Sequence, residues 1–105
     1  MSIRDPDNSP PIFDALHVPP LALDRGGTEV LRAVIIDGDL HVSLRRAFDD
    51  PTMWGMLLAD VARHIGRIYA KESAASEQDV VDKVRAVFDT EMDEPSDPGT
   101  TNVAS

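Results

Sequence analysis

Between Asp50 and Ser73 apolar residues recur at three- and four-residue intervals, the mark of an amphipathic helix. At about 100° per residue, Trp54, Leu57, Leu58, Val61, Ile65, Ile68 and Tyr69 fill an arc of about 120°, wide enough for a buried stripe. Beside it runs a packing strip of small residues, Gly55, Ala59, Ala62, Gly66 and Ala70. Glycine inside a helix costs roughly 1 kcal/mol against alanine, so two of them call for a compensating close approach of another backbone. That backbone belongs either to a later helix of the same chain or to the same helix of a second copy. Asp50 is placed to cap the helix and Pro51 to fill its first position.

The pattern changes period upstream. From Glu29 to Ile36 and from Leu40 to Phe48 the residues alternate and include many β-branched side chains, with Asp37-Gly38 between them in the form favoured by a type I′ hairpin. A two-residue loop pairs Ile36 with Asp39, Ile35 with Leu40, Ala33 with Val42 and Leu31 with Leu44, which places six apolar residues on one face. A three-residue loop would mix the faces. The opposite face then carries Val30, Arg32, Val34, Ile36, His41 and Arg45. It is too apolar for free solvent and too charged for a core, so it is the candidate interaction surface.

A second helix opens at Ser76, with Asp79 completing a partial capping box, and Val80, Val84, Val87, Phe88 and Met92 lie along one side until Pro95 stops it. The predicted fold is α+β, a β-hairpin followed by two α-helices (ββαα), with the hairpin packed on the first helix. Residues 1–12 are expected to be a disordered N-terminal segment, 13–94 a single domain, and 95–105 a disordered acidic and polar tail. Phe13 to Leu23 reads either as an extended arm or as a short helix after Pro20 that Gly26 and Gly27 end; in both cases it would cover apolar surface. Two strands form a poor sheet on their own, so the pattern predicts a homodimer, joined edge to edge or through the small-residue strip.

Charge narrows the partners. The net charge of −9 divides into −2 over residues 1–27, −1 over 28–72 and −6 over 73–105. A deficit concentrated at the carboxyl end argues against nucleic-acid and anionic-membrane binding, which depend on Lys and Arg. The chain has no cysteine, hence no disulfide and no thiolate metal site. It shows no signal-type apolar run and no stretch of 18 apolar residues, so a cytoplasmic protein is expected.

Candidate chemistry is thin. Asp60 and His64 stand four apart on the first helix, in the spacing of an acid/base pair, but also of an ordinary helix-surface pair. Arg45 and Arg46, joined by Arg63, Arg67 and Lys71, are the groups that would hold a phosphate or carboxylate if the fold gathered them, and Glu29, opposite Arg46 in the chosen register, competes for that capacity with Asp49, Asp50 and Asp60. His17, His41 and His64 lack metal-ligand spacing, and neither a Walker loop nor GxGxxG occurs. No catalytic, cofactor or metal residue is assigned.

From Gly26 to Ala70, just under half of the chain, the sequence resembles a family of small bacterial proteins known only as a domain of unknown function. The segments EVLRA at Glu29 to Ala33, SLRRAFDDP at Ser43 to Pro51, the Trp54-Gly55 pair and ARHI at Ala62 to Ile65 carry the likeness. The resemblance implies a bacterial, cytoplasmic protein and brings no activity with it. The reading that results is a homodimeric interaction or regulatory module without catalytic activity, binding itself and an unidentified protein partner. The alternative is a small anion-binding protein or enzyme using Arg45 or Arg46 with His64.

Overall fold

The computed structural model describes residues 12–96 and 99–104; apart from Ile12, the segment expected to be disordered at the amino end lies outside the described residues. Strands β1 (Leu31–Ile36) and β2 (Asp39–Arg45) form the expected hairpin. Asp37 (φ 51°) and Gly38 (φ 84°) both take positive φ, as a type I′ turn demands, and the register pairs Leu31 with Leu44, Ala33 with Val42 and Ile35 with Leu40. Because the Arg45 amide donates to the Val30 carbonyl at 3.0 Å, alternation along the ladder turns the amides and carbonyls of Leu31, Ala33 and Ile35 outward. Among the described residues, the outer edge of β1 is therefore open.

The carboxyl end departs from its expected disorder. Residues Thr100–Ala104 form strand β3, parallel to β2, with Thr101 beside Val42 and Val103 beside Leu44. The acidic character of the tail ends at Asp97; the side chains beyond it are uncharged and include two threonines, which suits a strand. Gly99 (φ 66°) lets the chain pass so close to the hairpin that a Cβ there would stand 2.7 Å from the Leu40 carbonyl oxygen. The sheet order is β1-β2-β3.

Helix α2 (Thr52–Glu72) begins where its cap predicts. Pro51 is already helical (φ −57°, ψ −24°), and the Asp50 carboxylate accepts the Thr52 amide at 3.0 Å. That bond, aided by the Thr52 side chain, lowers the Asp50 pKa below its ordinary value of 3.8. A depressed carboxyl pKa gives stability that is complete above the unfolded value and lost as pH falls through the folded one. Asp50→Asn is therefore expected to fall short of wild type at neutral pH and to converge with it in acid, a difference that melting followed by circular dichroism between roughly pH 6 and pH 3 would show.

At the far end of α2, Ser73 donates its hydroxyl to the Tyr69 carbonyl (2.7 Å) and accepts the Ala75 amide (3.2 Å), turning the chain into α3 (Glu77–Asp93). Ser76 caps α3 by accepting the Asp79 amide at 3.0 Å.

The small-residue strip finds its partner within the chain, at least in its second half. A Cβ on Gly66 would lie 3.0 Å from both the Glu77 carbonyl oxygen and Val81 Cγ2, and Ala62 and Ala70 are half-buried on the same side. Gly55 faces open space, and Ala59 is exposed. Arg67 and Glu77 add an ion pair at 3.9 Å across the two helices, half exposed and worth little.

One packing expectation is overturned. The hairpin does not sit on α2: no described strand residue brings its Cα within 8 Å of either long helix. The connector explains the separation. Ala47 closes a tight turn onto the Arg45 carbonyl (2.7 Å), Phe48 stacks edge-on against Trp54 with centroids 5.1 Å apart, and Asp50 caps α2. Each end is fixed to the body it adjoins. The radius of gyration is 17.0 Å, against about 13 Å for a compact chain of this length.

The segment before β1 takes the helical alternative, α1 (Pro20–Arg25), ended by Gly26 at φ 79°. It packs on no other described element, and Leu16 and Leu23 remain exposed, so the covering role expected of it is not fulfilled along most of its length.

Candidate interaction surfaces

The sheet has two faces of different character. One holds Leu31, Ala33, Ile35, Leu40, Val42 and Leu44, extended by Val103 of β3. No described helix packs on it: Leu31, Val42 and Leu44 are half-buried, while Ile35 is 67 % and Val103 87 % exposed. Side chains of this kind contribute roughly 1.5–3 kcal/mol each when fully buried, so an exposed face of them forgoes a large stabilisation.

The opposite face is the mixed one that the sequence singles out, and the structure brings Arg32, Val34, Ile36, His41 and Arg45 together there, with Val30 just before the strand. Its charges are engaged locally. Arg32 holds the Glu29 carboxylate through Nη2 at 3.0 Å and lies over the Phe13 ring, 5.6 Å from its centroid. Arg45 donates from Nε to the Glu29 carbonyl at 3.3 Å. Glu29 thus serves Arg32 and Arg45 rather than Arg46. A shallow cleft of about 170 Å³ opens here between Glu29, Val30, Arg32, Ser43 and Arg45.

The anion-binding constellation does not assemble in one chain. Arg45 belongs to β2 and His64 to α2, whose Cα positions stay more than 8 Å apart, and neighbouring Arg46 is exposed. Exposed His64 lies with Nδ1 3.4 Å from Arg67 Nη1, a long contact, rather than in an orienting bond with Asp60. Among the described residues no three His, Asp or Glu side chains cluster as metal ligands do, and no helix is long and apolar enough to cross a membrane.

The helix pair offers the second large apolar surface. The stripe of α2 and the apolar side of α3 meet on one flank, around a groove of about 290 Å³ lined by Ile65, Tyr69, Ala75, Val80, Lys83 and Val84. The stripe expected to be buried is partly open: Trp54, Leu57 and Ile65 are half-buried, but Val61 and Leu58 are exposed by about two fifths, and Ile68 and Tyr69 by more than half. Trp54 alone gains an aromatic neighbour, Phe48. Periodicity places these side chains on one face of the helix but holds no signal for which body would cover them.

Residues 15–96 match the model of a family described as "Domain of unknown function (DUF5076)". The match reaches beyond the Gly26 to Ala70 resemblance to include α1 and all of α3. A solved structure from the photosynthetic bacterium Rhodopseudomonas palustrus CGA009, called a "putative pyruvate dehydrogenase", is 38% identical over 93% of this chain and 99% of its own, with a TM-score of 0.68. No curated protein matches at a significant level.

Proposed function

From a chain that belongs to the domain-of-unknown-function family DUF5076, we propose a homodimeric interaction or regulatory module whose function is carried by surfaces rather than by a reaction centre. One observation carries this reading: among the described residues only Gly66 and Val81 are buried. A soluble chain with so small a core does not offset the conformational entropy of folding by itself, and association supplies the missing burial. The pyruvate dehydrogenase name of the similar structure transfers no chemistry, since function resides in particular sites and one fold hosts many. The uncovered face of the sheet and the open flank of the helices are the contact surfaces. The mixed face, partly occupied by Phe13 and Glu29, remains for a further protein partner.

Thermal unfolding as a function of concentration tests the reading. If folding and association are one process, the midpoint rises with protein concentration across the micromolar range. A midpoint independent of concentration would refute it.

A further inference from the structure

We infer that the dimer is reciprocal: the apolar sheet face of each copy seats on the α2–α3 flank of the other, so that two identical sheet-on-helix contacts form around a twofold axis. This inference rests on the homodimer reading and specifies which surfaces meet.

Three observations converge on it. The chain carries both halves of an ordinary α+β core, an apolar sheet face and an apolar two-helix flank, each left partly open by the described residues. The connector from Arg45 to Thr52 is short and held at both ends, by the turn at Ala47, the Phe48–Trp54 stack and the Asp50 cap, so the sheet is held off its own helices. Short, constrained hinges are the ones from which elements are exchanged between copies. The surface area is also sufficient. The chain exposes 9172 Å², whereas a compact protein of 11.5 kDa exposes about 5,800 Å². Setting aside about 2,200 Å², the most that the residues outside the described segments could expose, leaves roughly 1,200 Å² in excess, shared between the two faces and the exposed segment 12–30 and comparable with the ~800 Å² that each partner of a standard interface buries.

Pairing like with like is the weaker alternative. Two sheet faces stacked on each other would leave both helix flanks in water, and two helix flanks together would leave both sheets bare. Only the reciprocal arrangement covers all four surfaces and keeps closed symmetry.

Because the chain has no cysteine, introduced thiols report on single positions. Ala33→Cys marks the sheet face and Val61→Cys the helix flank; both sites are exposed in the protomer, which keeps the folding risk small. The two single variants, one carrying a mass tag, are refolded together and treated with a short bismaleimide, with sedimentation equilibrium run on the same sample. The reciprocal arrangement predicts a dimer in which the mixed 33-to-61 product dominates over either same-site product. A dimer giving only 33-to-33 or 61-to-61 products, or no cross-link, overturns the reciprocal arrangement while the homodimer stands. A monomeric mass overturns both.

Discussion

Replacing Gly66 with leucine is expected to destabilise the helix pair by about 2 kcal/mol, within the range for overpacking a tight contact. The first added atom already meets the Glu77 carbonyl oxygen and Val81 Cγ2 at 3.0 Å, and Glu77 Cγ at 3.1 Å. The remainder of the side chain has no space between α2 and α3. Leucine's better helix propensity returns less than about 1 kcal/mol, so the net effect stays unfavourable. In a domain of this size that amounts to a fall of roughly 8–16 °C in melting temperature. Gly55→Ala is the control. No atom lies within 4 Å of a Cβ there, so the change should stabilise α2 by roughly 0.5–1 kcal/mol, which the same melting experiment would register as a rise. An unchanged melt for Gly66→Leu would contradict the close contact of α2 with α3.

A single charge on the sheet face should have a larger effect, on association. Ile35 is 67 % exposed in the protomer, and surface substitutions at such positions ordinarily change stability by no more than about 0.5 kcal/mol. Ile35→Asp should therefore be silent if the protomer is solitary. In the proposed dimer it removes two buried isoleucines, worth about 3–6 kcal/mol together, and forces two carboxylates out of water as well. The expected outcome is a dissociation constant raised at least about a hundredfold. Ile36→Asp, on the mixed face, should leave association near the wild-type value.

The hairpin is legible in the sequence almost residue by residue because two independent signals agree on it. The Asp37-Gly38 pair sets the turn, and alternation sets which residues share a face, so a slip of one residue would contradict both. The starts of α2 and α3 are legible for the same kind of reason, since Asp50 and Ser76 act on amides only two or three residues away. Strand β3 is not. Its pairing depends on a partner strand more than fifty positions earlier and on Gly99 passing close to Leu40, and neither leaves a local pattern.

The separation of sheet from helices exposes a deeper limit. Periodicity states which face of Leu31 to Leu44, or of Trp54 to Tyr69, must leave water; it does not say whether the covering surface comes from the same chain. The small-residue strip shows both outcomes at once. Gly66 is filled from within the chain, by Val81 and the Glu77 backbone, while Gly55 faces open space. The Arg45, Arg46 and His64 constellation fails for a related reason: sequence spacing on separate elements carries no information about convergence, and here β2 and α2 stay apart.

Whether a second copy of the chain completes the core, as proposed, is decided by sedimentation equilibrium at micromolar concentration. Wild type is expected at twice the 11.5 kDa chain mass, with a shift toward the single-chain mass for Ile35→Asp. A wild-type mass of 11.5 kDa throughout that range would contradict it.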